Sequence, residues 1–140
     1  MKYLLDTPLL AELIRAHEDD WSARWVDAFN EDEVCLSAIT IGEIVHYIEN
    51  ETDLERKESL YHWLNDDLLI RFYGKIIEPD IQILVEWGKI TAGCEKTGKA
   101  LSEIDAMIAA TVRARGLVLI TYNRENFSGI GIEVSDPWQG

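Results

Sequence analysis

A chain of 140 residues, 47% hydrophobic and 28% charged with few Gly and Pro, has the composition of one soluble domain spanning 1–140, which excludes a collagenous or disordered chain. No apolar run is long enough for a membrane span, and Asp6 interrupts the amino-terminal one before a signal-peptide core can form, so a cytoplasmic chain with no membrane partner is expected. The formal net charge of −13 excludes a protein that grips nucleic acid through general basicity. Any polyanion must be held by a bound cation, local basic residues or a partner, and a basic partner protein is plausible.

Taken in order, Lys2–Leu5 reads as a first strand, and Pro8 suits the first turn of a helix that follows at once. Trp21, Trp25 and Phe29 recur every four residues, one face of a second helix suited to core packing or a partner groove. Val34–Leu36 is a short buried strand. Ser37 or Thr40 can cap the next helix, which runs to about Asn50, and Thr40-x-x-Glu43 fits a capping box. Asp53 caps a helix with Leu60, Trp63, Leu64 and Leu68 on its apolar face.

Ile76-Ile77 is a minimal strand. Pro79-Asp80 starts a helix that turns Ile83, Leu84, Trp87 and Ile90 to the core and ends near Gly93 or Gly98. Ser102 caps a helix over Glu103–Arg115, closed by Gly116, with Arg113 and Arg115 complementing its dipole. Leu117–Ile120 is a continuous apolar run, the pattern of a parallel strand covered on both faces. Ile132–Val134 makes an edge strand. Alternating strands and helices imply an α/β/α sandwich with a short, mostly parallel sheet. Ligands of such sheets bind beyond the carboxyl ends of the strands.

Three acids interrupt apolar sequence: Asp6 after Tyr3-Leu4-Leu5, Glu43 after Ala38-Ile39-Thr40-Ile41-Gly42, and Asp105 within Ile104-Asp105-Ala106-Met107-Ile108. Acids in core-like segments are normally paired, protonated or metal-bound. Together they point to one shared cation site, a device suited to phosphoryl chemistry. Other chemistries find less support. Cys35 and Cys94 have no ligand-spaced neighbours and read as core residues. His17, His46 and His62 fall in separate helices without a nucleophile, although Glu43 and His46 stand three apart on one helix. The runs Glu18-Asp19-Asp20 and Glu31-Asp32-Glu33 read as solvated helix ends. Arg71, Lys75, Lys96 and Lys99 are candidates for a local basic patch.

Four blocks, Leu4-Leu5-Asp6-Thr7, Leu36-Ser37-Ala38-Ile39-Thr40-Ile41-Gly42-Glu43, Asp105-Ala106-Met107-Ile108-Ala109-Ala110-Thr111 and Leu119-Ile120-Thr121-Tyr122-Asn123, resemble in order and spacing the signature blocks of PIN domains. Gly131-Ile132-Glu133-Val134 and Pro137-Trp138 resemble the closing segment of the VapC-type toxins. The resemblance implies a Mg²⁺- or Mn²⁺-dependent endoribonuclease of a toxin–antitoxin module, a homodimer that binds a cognate antitoxin. It places Asp6, Glu43 and Asp105 as metal-binding catalytic acids. Thr7, Thr121, Asn123 and Asn126 are positioning residues around them. Two positions depart from the pattern: Pro8 stands where Asn is usual, and Asn126 where a fourth acid is usual, with Glu125 adjacent. These departures, with the net charge, motivate an alternative: a catalytically weakened PIN scaffold acting as an antitoxin-binding module or co-repressor.

Overall fold

Successive residues of a strand point to opposite faces of its sheet, so a strand buried on both faces must be apolar at every position. Tyr3–Leu5 (β1), Val118–Ile120 (β4) and, up to the Ser37 at its end, Val34–Ser37 (β2) meet that demand. The computed structural model describes residues 2–9 and 31–136, and Trp21, Trp25, Phe29, His17, Glu18-Asp19-Asp20 and Pro137-Trp138 lie outside them. Ile76–Ile77 (β3) and Glu133–Ser135 (β5) complete a five-stranded sheet in the order β3-β2-β1-β4-β5. Every pairing is parallel. β5 is an edge strand as expected, one residue later than the sequence pattern placed it.

The register sets two apolar rows back to back. Leu4 lies beside Cys35 and Leu119, and Leu5 lies beside Ile120. Leu5, Leu36 and Ile120 pack with Ile44 and Ile48 of Ala38–Glu49 (α1) and Leu60 and Trp63 of Leu54–Trp63 (α2). On the opposite face Leu4, Cys35 and Leu119 pack with Ile83 and Ile90 of Ile81–Thr97 (α3) and Ile108 and Val112 of Glu103–Arg115 (α4). The result is the expected α/β/α sandwich. Both cysteines are buried and free, and burial pushes the Cys35 thiol up to about 11, so it is an inert core group. Among the described residues no helix is long and apolar enough to cross a membrane.

Local chemistry fixes the helix ends. Asp53, Asp80 and Ser102 each accept a backbone N–H of the first turn. Gly98 and Gly116 close α3 and α4 in the left-handed conformation that glycine adopts without a Cβ penalty. α2 widens into a π-helical stretch over Leu64–Leu68 before a last turn, Leu69–Arg71.

Two expectations need correction. Ser37, not Thr40, caps α1, accepting the Ile39 N–H at 3.1 Å, while Thr40 is buried inside the helix. The capping box is therefore not formed, because Glu43 is engaged by a residue distant in sequence. Leu84 is 45% exposed rather than core, since Ile83 and Ile90 already fill the buried stripe of α3. Replacing Ser37 by Ala is expected to cost about 1 kcal/mol, the usual worth of an N-cap. Urea unfolding measures it, and an unchanged midpoint would refute the capping role.

Candidate active site

Parallel strands expose their carboxyl ends along one rim, and three elements deliver acids there. Asp6 follows β1, Glu43 lies in the second turn of α1, and Asp105 is in the first turn of α4, where a carboxylate also suits the helix dipole. Asp6, Glu43 and Asp105 line one open cavity of about 280 Å³ together with Thr7, Pro8, Ile44, Tyr47 and Asn123. Three acids far apart in sequence thus share a wall.

Neutral donors hold each carboxylate. Asp6 Oδ1 accepts the Thr7 N–H at 2.9 Å, and Asp6 Oδ2 accepts the Thr121 hydroxyl at 2.8 Å. Thr121 Oγ1 in turn accepts the Asn123 N–H at 3.0 Å. The Thr7 hydroxyl donates to Glu43 Oε1 at 2.5 Å and lies 3.2 Å from Thr40 Oγ1. Asn126 Nδ2 donates to Asp105 Oδ2 at 2.6 Å. Asn126 belongs to a 3-10 turn, Arg124–Phe127, anchored by the buried Phe127.

Only Asp6 is fully buried, at 3% exposure, whereas Glu43 and Asp105 are half-buried. Burial raises the Asp6 carboxyl above its ordinary value, the Thr121 hydrogen bond opposes this, and repulsion from Asp105 and Glu43 adds to it. No Lys or Arg among the described residues lines the cavity. Concentrated negative charge without a cation is what a metal or a cationic group would relieve.

The donor set suits a hard divalent ion, since it consists of oxygens only. Among the described residues, however, no three His, Cys, Asp or Glu side chains stand close enough to grip one ion as a closed cage. Mg²⁺ seldom uses such a cage; it keeps several waters and takes one or two carboxylates. The residues present fit that mode.

Pro8 occupies the helical turn over residues 7–9 and lines the cavity; its missing N–H leaves the Thr7 N–H to Asp6 undisturbed. Asn126 does more than fill the place of an acid, because its amide donates to Asp105. Glu125 lies in the same turn and its carbonyl accepts from Lys99 Nζ at 3.4 Å. His46 is exposed and Glu43 bonds to Thr7, so Glu43 and His46 do not work as a pair. His62 faces Asp66 at 2.6 Å on the surface. Tyr47, 46% exposed at the rim, escaped the sequence reading. Its spacing of four from Glu43 on α1 is the signal that could have found it.

Comparison with known proteins agrees with this architecture. The PIN-domain family model matches residues 3–132. The VapC ribonuclease Y4jK of Sinorhizobium fredii is 26% identical over 97% of each chain. Among solved structures, FitAcB from Neisseria gonorrhoeae superposes with a TM-score of 0.89 at 27% identity, covering 99% of both chains. DNA-bound VapBC from Salmonella typhimurium follows at a TM-score of 0.80 and 27% identity, covering 98% of both. With a match across nearly its whole length and the acids on the expected rim, the chain belongs to the PIN-domain family.

Proposed function

We propose that the protein is an endoribonuclease toxin of VapC type, hydrolysing RNA phosphodiesters with Mg²⁺ or Mn²⁺ and neutralised by a cognate antitoxin. The observation that carries this reading is the convergence of Asp6, Glu43 and Asp105 on one cavity with no cation among its described lining. The ribonuclease name of the Sinorhizobium relative and the toxin–antitoxin complexes among the structural neighbours support it. A cognate antitoxin partner, a homodimer and a cytoplasmic setting belong to the same proposal.

The chain's own residues prepare the site before substrate arrives. Thr7 serves two acids at once, its N–H fixing Asp6 and its hydroxyl fixing Glu43. Thr121 holds the other oxygen of Asp6, so the buried carboxylate cannot rotate. Asn126 fixes one oxygen of Asp105 and leaves the other for an ion or a water. When bound, the ion would acidify a water and balance charge developing on the phosphate. Preorganised acids of this kind avoid reorganisation during reaction.

An antitoxin-binding scaffold with weakened catalysis is the second reading, favoured by the uncharged Asn126 amide where a further carboxylate would add metal affinity. The two separate in one assay: cellular RNA incubated with the antitoxin-free protein in Mg²⁺, Mn²⁺ or EDTA, beside Asp105→Asn. Ion-dependent cleavage missing from Asp105→Asn supports the nuclease. Its absence from folded protein supports the scaffold.

Ion binding is also expected to stabilise the fold, by about 2.7 kcal/mol when the ion stands at about 100 times its Kd. The sign with pH follows from Asp6. Its raised folded value means that the folded apo-protein keeps the proton longer than the unfolded chain. That contribution is full below the ordinary carboxylate value and is lost as pH rises through the raised one. Protons and ion compete for the same oxygens, so the ion-induced rise in melting temperature grows from mildly acidic to neutral pH. A shift independent of pH would disconnect the ion from Asp6.

A further inference from the structure

The surface of α3 and α4 carries two adjoining cavities that share no lining residue with the acid site. The larger, about 530 Å³, is walled by Lys89, Lys99 and Arg113, with Gly93 opening the α3 side and Gly129 and Gly131 the opposite wall. No carboxylate is among its described lining. Glu86 beside it meets Arg113 Nε at 3.0 Å and Lys89 Nζ at 3.8 Å, while Lys99 Nζ donates to the Glu125 carbonyl. Three cations therefore face one acid, in a chain whose net charge is −13. The four cations singled out from the sequence do not gather here: Lys99 joins Lys89 and Arg113, without Lys96, Arg71 or Lys75.

The second cavity, about 330 Å³, shares Lys99 and Cys94 with the first and adds Trp87, Glu95, Glu103 and Ala106. Glu103 and Ala106 share the first turns of α4 with Asp105, on other faces of the helix. Lys99 also touches the 3-10 turn whose Asn126 holds Asp105. One connection, through the 3-10 turn, thus leads from the acid site to the basic cavity. Glu95 and Glu103 disfavour phosphate in the intermediate space but suit base amino groups, and Trp87, partly buried, lines the same space.

We infer that these cavities form a single-strand track: the RNA phosphate backbone lies against Lys89, Lys99 and Arg113, and a base lies beside Trp87, on the path leading to Asp105. This deepens the nuclease reading and rests on it for the identity of the ligand. It also gives so acidic a protein a local hold on RNA, since positive charge is concentrated in the larger cavity. Lysine contacts to single strands each add about 0.7 to the slope of log affinity against log salt.

The test measures binding apart from cleavage. A fluorescein-labelled mixed-sequence RNA of about twelve nucleotides, within the usual footprint of single-strand grooves, is titrated in EDTA with wild type, Lys89→Glu, Lys99→Glu and Lys57→Glu. Lys57 lines neither cavity and pairs with Glu49, so it supplies an equal charge change elsewhere. Lys89→Glu and Lys99→Glu are expected to weaken binding at least about 5-fold and to flatten the salt slope by about 0.7 each. Lys57→Glu is expected to leave both unchanged. Equal weakening by Lys57→Glu, no effect of the other two, or no binding by wild type would overturn the track. So would intact RNA binding with lost binding of a poly-glutamate peptide, which would give the groove to an acidic protein segment. Cleavage in Mg²⁺ is read separately with Asp105→Asn: failure there removes the nuclease and leaves the binding result standing.

Discussion

Asp6→Asn is expected to abolish RNA cleavage, lowering turnover by more than about 100-fold, because even partners one shell beyond a metal are worth 10- to 100-fold. The geometry predicts that the fold survives. An Asn oxygen can still accept the Thr7 N–H, and Thr121 retains the Asn123 N–H. Asp6 is the most buried of the three acids and feels repulsion from the other two, so removing its charge relieves desolvation and like-charge cost together. The apo-variant should therefore melt no lower than wild type at neutral pH, and the ion should no longer raise its melting temperature. Thermal melts beside a cleavage assay check all three results. Undiminished cleavage by a pure Asp6→Asn preparation would remove the proposed chemistry.

Phe127→Ala carries the largest expected loss of stability, about 3–5 kcal/mol, the usual range for emptying an aromatic core site. Phe127 is 2% exposed and packs in the cluster that includes Leu4, Ile83 and Ile108. It also pins the turn from which Asn126 reaches Asp105. Loss of activity should therefore accompany loss of stability even under conditions where the variant remains folded. Leu84→Ala on the exposed side of α3 serves as the comparison, with an expected change within about 0.5 kcal/mol. Urea midpoints decide between them, and a cost below about 1 kcal/mol at Phe127 would contradict its place in the core.

What could be read from sequence was local. Asp53, Asp80, Ser102, Gly98 and Gly116 bound their helices as their chemistry demands, because a cap is satisfied within four residues of itself. Strands buried on both faces announced themselves through unbroken apolar runs. The failures were tertiary. Thr40-x-x-Glu43 has the spacing of a capping box, but a hydroxyl 36 positions away in sequence, on Thr7, claims Glu43. Leu84 fits the helical period, yet the stripe needed to cover the sheet is narrower than the apolar face α3 offers. Asn126 looked like a missing acid; that it donates to Asp105 depends on a contact across 21 residues. The acids could be singled out because charge in apolar sequence is conspicuous. Tyr47 was not, since an aromatic residue on an amphipathic helix looks ordinary.

The central position of β1 has a consequence for the timing of synthesis. β1 emerges from the ribosome ahead of the other strands of its sheet, but it pairs with β4, made after β2 and β3. The Asp6 N–H waits for the Ile120 carbonyl, and its carboxylate for the Thr121 hydroxyl. A nascent chain can form helices early but cannot close this sheet, since distant parallel pairing comes late. If the proposed RNA cleavage holds, the order of the strands is a delay line: the acid site cannot be assembled on a nascent molecule before its fourth strand is made, and the proposed antitoxin has that interval in which to be ready.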